Sequence, residues 1–119
     1  MCIRDRLGVE YLELLDATAN IRKEADEITR NYDALIMPTV PTIAPILDHL
    51  EKSDTAYHEN NLLMLRNCSF GNFLDRCAIS LPIHQLGEAP VGMMVMGNTG
   101  EDEKLLEVAN SIERVVLNV

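Results

Sequence analysis

Two short apolar runs, Cys77–Leu81 and Val91–Met96, lie within the stretch Asn67–Gly97, bracketed by Pro82, Gly87, Pro90 and Gly97. Runs this short, cut off by proline and glycine, fit strands buried on both faces better than helices. They predict the inside of an α/β domain, with Ile83–Pro90 as the connection between them. Strands apolar on both sides need layers laid against them, and the rest of the chain reads as helix or loop.

The longest of those pieces is helical. Leu7, Tyr11, Leu14, Thr18, Ile21, Ala25, Ile28 and Tyr32 step by four and three, while Arg22, Lys23, Glu24, Glu27 and Arg30 take other positions. No proline or interior glycine interrupts Val9–Arg30, so one long helix is expected. A stripe of this length predicts a helix packed on a core rather than a coiled coil. Asn31–Asp33 breaks the pattern, and Ala34–Met37 then reads as a buried strand ending at Pro38. Pro38, Pro41 and Pro45 exclude helix and central strand beyond it, leaving an extended loop. Loops leaving strand ends are where α/β proteins build pockets, and Thr39 and Thr42 carry hydroxyls there. Plain turn chemistry with solvated threonines explains the same residues.

Asp48–Tyr57 is polar and reads as a surface excursion, and Glu59–Phe73 as one or two short helices, with Gly71 weakening their continuity. Asn98–Gly100 supplies a turn. Glu101, Asp102 and Glu103 then oppose the positive end of a terminal helix, whose apolar face runs from Leu105 through Val116. Met93, Met94 and Met96 read as strand filler.

Composition narrows the function. At 119 residues the chain is one domain at most, or part of a larger one, and 47% hydrophobic with 24% charged residues is that of a folded soluble protein. A formal charge of −9 leaves nothing to neutralise a phosphate backbone, so no nucleic-acid partner is expected. The acidic residues read as solvated faces. No apolar run reaches the roughly 18–20 residues of a membrane span, and no secretory core opens the chain, so no membrane partner and a cytoplasmic setting are expected. Cys2, Cys68 and Cys77 fit neither a disulfide framework nor a zinc knuckle; Cys68 and Cys77 read as buried thiols. A nucleophilic cysteine would need His84 or His58 beside it. His49 and His58 lack a second ligand pair, so no metal site is expected.

Three stretches, in order, resemble the C-terminal part of the amidase signature family. YDALIMPTVPTIAP (Tyr32–Pro45) is similar to its aspartate, apolar strand and Pro-Thr-x-Pro loop. LRNCSFGNFLDRCAISLPIH (Leu65–His84) is similar to its asparagine-centred helix and a strand ending in Ser-x-Pro. APVGMMVMGNTGEDEKLLEVANSIE (Ala89–Glu113) is similar to its closing Pro-Val-Gly strand, glycine turn and last helix. With the long helix, the likeness covers Leu7–Val119. The opening MCIRDR (Met1–Arg6) fits nothing that follows. It resembles an adapter-derived peptide at the start of truncated gene predictions, so a non-native start is expected there.

The resemblance implies an α/β fold with a mixed β-sheet core flanked by helices, of which residues 7–119 would be the C-terminal part. It implies hydrolysis of a carboxamide, or ammonia transfer from one, by a serine nucleophile, a serine in a cis peptide and a lysine base. The lysine must be neutral to accept protons through the bridging serine, while backbone amides hold the oxyanion. No Gly-Ser-Ser-Gly text occurs here; Ser53, Ser69, Ser80 and Ser111 lack a glycine-rich setting, and Lys23, Lys52 and Lys104 lie in charged segments. No catalytic residue therefore transfers, and the chain alone is expected to be inert.

The implied contribution is pocket wall: Pro38, Thr39 and Pro41 from the loop, and Cys68, Phe70 and Asn72 from the helix. Asn72 reads equally as a helix cap or turn residue. Arg76–Cys77 stands where many members carry leucine–proline, a variant that leans toward stand-alone amidases over the tRNA-dependent amidotransferase. The expected partners are a small carboxamide and the missing N-terminal half of the same domain, with a second copy as a further candidate; no cofactor is implied. The alternative from another class is a complete acidic interaction module. Three strands with so few helices leave sheet edges and helix stripes uncovered, which favours the fragment.

Overall fold

The computed structural model describes residues 7–116. The expected non-native start at Met1–Arg6 lies outside them. The elements are α1 (Gly8–Thr29), β1 (Leu35–Pro38), α2 (Leu47–Glu51), α3 (Asp54–Leu65), α4 (Cys68–Leu74), β2 (Ala78–Pro82), β3 (Gly92–Met96) and α5 (Asp102–Val116). The strands form one sheet in the order β1-β3-β2, antiparallel at both pairings. The α/β class is as expected, and the three strands fall where the apolar runs are.

Register explains which residues are covered. Ile36, Val95 and Ile79 are aligned across the sheet, and so are Met37, Met94 and Ser80. Side chains alternate along a strand, so these rows face opposite ways. The row containing Val95 packs with Leu81 against Leu105 and Ala109 of α5, joined by Ala34, Cys77, Met93, Val108 and Ile112. On the other face Met96 lies beneath α4, its Cε 3.5 Å from where a Gly71 Cβ would sit. That is ordinary contact distance, so Gly71→Ala fits. It is expected to stabilise the chain by about 0.5–1 kcal/mol in urea denaturation, through helix propensity.

Burial on both faces holds for β3, whose Met94, Val95 and Met96 are all buried. It fails for β1 and β2, which alternate, leaving Ile36, Ala78 and Ser80 exposed. The reason is position: only the central strand has a neighbour on each side and a helix on each face.

The long helix also departs from expectation. No residue of α1 is buried, and its stripe is largely uncovered: Leu7, Tyr11 and Ile28 are more than half exposed, while Thr18 and Ala25 are half-buried. Polar contacts seat it instead: Arg22 Nε donates to the Phe73 carbonyl at 2.7 Å, and Asp26 meets Arg76. In the excursion, a helix begins at Asp54, earlier than expected, because the Ser53 hydroxyl accepts from the Ala56 N–H at 3.4 Å as an N-cap. At the other end Glu101 precedes α5 rather than opening it, and its carboxylate accepts from Asn98 Nδ2 at 3.0 Å.

The result is thin, with extents of 53 × 46 × 19 Å. The radius of gyration is 17.8 Å, against about 13–14 Å for a compact domain of this length. The accessible surface is 9419 Å², where a monomer of 13.3 kDa exposes about 6,500 Å². Among the described residues, the uncovered stripe of α1 contributes to that surface.

Candidate functional site

The best-defined polar cluster forms where β1 ends. Thr39 follows β1, Ser80 sits mid-way along β2, and their hydroxyls meet at 2.6 Å. Between them runs β3, starting at Gly92, whose carbonyl accepts from the Thr39 N–H at 2.8 Å. A Cβ on Gly92 would lie 2.6 Å from Ser80 Oγ and 2.8 Å from Thr39 Oγ1. Glycine at this position is what lets the outer strands join hydroxyls across the middle one.

The junction of α3 and α4 closes the other side. Asn67 is buried and its Nδ2 donates to the Pro38 carbonyl at 2.8 Å, and the Cys68 thiol lies 3.7 Å from the Thr39 carbonyl. After α4 the chain makes a Schellman turn: Asp75 is left-handed at φ 57°, the Asp75 N–H reaches Asn72 O and the Arg76 N–H reaches Gly71 O. That turn places Arg76 at the wall of a concavity of about 250 Å³, with Thr39, Cys68, Asn72, Ser80 and Met94. The Arg76 side chain is 1% exposed.

Of the residues expected to form pocket wall, Thr39, Cys68 and Asn72 share this concavity. Pro38 and Pro41 line a neighbouring one of about 200 Å³, between the proline loop and Pro90–Gly92. Phe70 belongs to neither; it lines an open apolar hollow with Leu62 and Phe73 and is 53% exposed. Asn72 is inside α4, where its carbonyl rather than its side chain serves the turn. Sequence reasoning left out Ser80, Gly92, Asn67 and Arg76. A serine within an apolar strand and an arginine directly before the apolar run Cys77–Leu81 were the available signals.

The chemistry on offer is binding. In the hydroxyl pair one O–H donates to the other, leaving a single donor of that pair for a ligand, and among the described residues no carboxylate, lysine or histidine lines the concavity. His58 Nδ1 is occupied at 2.7 Å by the Asp54 carbonyl, and His84 Nδ1 accepts from the Val91 N–H at 3.3 Å. Cys68 and Cys77 are half-buried free thiols rather than fully buried ones, and the histidines line no wall with Cys68. Lys104 Nζ lies 3.6 Å from Asp33 and 3.7 Å from Glu101. Among the described residues there is no metal-binding cluster and no helix long and apolar enough to cross a membrane.

The family model described as Amidase matches residues 4–106. The chain belongs to the amidase family. Among curated relatives, it is 28% identical over 104 residues to the A subunit of glutamyl-tRNA(Gln) amidotransferase from Saccharolobus solfataricus, covering 87% of this chain and 21% of that protein. To 2-amino-5-chloromuconic acid deaminase of Comamonas testosteroni it is 28% identical over 122 residues, covering 96% of this chain and 26% of the relative. The amidotransferase A subunit from Listeria innocua matches at 28% over 104 residues, covering 87% of this chain and again 21% of the relative. The chain thus spans about a fifth to a quarter of these amidase relatives. No significant match to a solved structure is found.

Proposed function

We propose that this chain is the C-terminal part of an amidohydrolase that cleaves a small carboxamide to carboxylate and ammonia. Its serine nucleophile, cis-serine and lysine base would lie in sequence that this chain does not contain. The observation that carries the reading is an amidase match over residues 4–106 in a chain spanning only about a fifth of the first relatives. The surplus accessible surface supports it, since the exposed stripe of α1 and the free edges of β1 and β2 are faces a larger domain would bury. In the complete enzyme Thr39, Cys68 and Asn72 would form one wall of the substrate pocket, with Pro38 and Pro41 beside it and Phe70 facing away. A cytoplasmic setting belongs to the same proposal. A second reading, part of an amidotransferase A subunit, is favoured by the presence of such proteins among the relatives.

The test starts from the genomic frame upstream of Leu7. The expected result is an open frame running into a Gly-Ser-Ser-Gly segment and a lysine. The full-length product then releases ammonia from simple carboxamides, while the 119-residue chain releases none. A stop codon and ribosome-binding site directly before Met1 would overturn the proposal. Ammonia release only in the presence of charged tRNA would favour the amidotransferase reading instead.

A further inference from the structure

Among the described residues Arg76 is the charged one most completely withdrawn from water, and it touches two parts of the fold at once. Its Nη2 donates to Asp26 Oδ1 and to Thr29 Oγ1, both at 2.7 Å and both on α1. The same residue lines the concavity of Thr39, Cys68, Asn72 and Ser80. Its backbone is fixed by the Schellman turn, so α1 and that wall share this one residue.

The seating of α1 depends on such contacts. With no buried residue of its own, it is tied to the turn after α4 by Arg22 at the Phe73 carbonyl, by Arg22 to Asp75 at 3.8 Å, and by Arg76. The guanidinium is incompletely satisfied: Nε is buried and has no hydrogen-bond partner among the described residues. A buried donor left unmade lowers the cost of an opening that returns it to water. Asp26, by contrast, is 59% exposed, so its half of the pair is open to salt.

We propose that Arg76 is a positioning residue that couples the seating of α1 to the shape of the Thr39–Ser80 concavity. When Asp26 holds the guanidinium, the wall keeps its shape, with Cys68 half-buried in it. When the pair is broken, Arg76 swings toward water and the concavity opens.

Two thiols on opposite faces of the sheet allow a test in the whole chain. Cys68 lines the concavity, whereas Cys77 packs with the core under α5. Alkylation by iodoacetamide in native buffer, followed peptide by peptide by mass spectrometry, reads both. Asp26→Asn keeps the side-chain shape and removes the charge. It is expected to raise Cys68 modification about three-fold or more while leaving Cys77 unchanged, as for a local rather than global opening. Adding ~0.5 M sodium chloride should produce the same rise in the unmodified chain and little further rise in the variant. Arg76→Lys should hold Cys68 nearer its original rate than Arg76→Met, and Glu27→Gln, a charge change one residue from Asp26, should do nothing. Equal acceleration at both cysteines would show mere loss of stability and overturn the proposal, as would no change at Cys68.

Discussion

Gly92→Ala is expected to cost roughly 2–3 kcal/mol of folding stability, read as a lower urea midpoint with the slope unchanged. The added Cβ would sit 2.6 Å from Ser80 Oγ and 2.8 Å from Thr39 Oγ1, with Thr39 Cβ at 3.4 Å. Ser80 Oγ can turn aside only by leaving the hydroxyl pair, and Thr39 has less freedom still. Thr39 is β-branched and stiff about its first torsion, and its N–H is bonded to the Gly92 carbonyl itself at 2.8 Å. Either the hydroxyl pair breaks or β1 shifts away from β3. The two contributions can be separated by a double-mutant cycle. In a Ser80→Ala background the pair is already gone, and the cost of Gly92→Ala should fall by about 1 kcal/mol. A cost below about 0.5 kcal/mol in the original background would mean the hydroxyls are free to move, and the site would lose its rigid floor.

Leu105→Ala should cost about 2–4 kcal/mol, by lost burial and the cavity left behind. Leu105 is 5% exposed and is one of two α5 side chains, with Ala109, in the buried core. That cluster is small, so the loss is a large part of what holds α5 to the sheet. Leu106→Ala, one residue along and 58% exposed, should change the midpoint by less than about 0.5 kcal/mol. Far-ultraviolet circular dichroism across a urea series distinguishes the two. Equal effects at both positions would mean that α5 is not seated on the sheet as described.

The uneven fate of the expected pocket wall has a geometric cause that lies in the sequence itself. Cys68 and Asn72 are four residues apart on α4 and therefore share a face, whereas Phe70, two from each, points to the far side. Pro38 and Thr39 are adjacent at the end of an extended strand, so their side chains leave opposite ways and line different hollows. Periodicity applied inside each segment is enough to separate these residues.

Local pattern determined the elements of this protein. Proline and glycine fix where β1, β2 and β3 stop, the three-and-four spacing makes α1 a helix, and carboxylates mark the start of α5. Ordered motifs determined the family. Only the tertiary structure placed β3 in the middle of the sheet, which decides that Met94, Val95 and Met96 are buried while Ile36 and Ser80 are not. It alone paired Thr39 with Ser80 across Gly92, partners 41 residues apart, and Arg76 with Asp26, 50 apart. A local window holds the period of one element but not the crossing of two. Contacts made between distant segments are set by how the layers pack, so the site became visible only once the sheet was assembled.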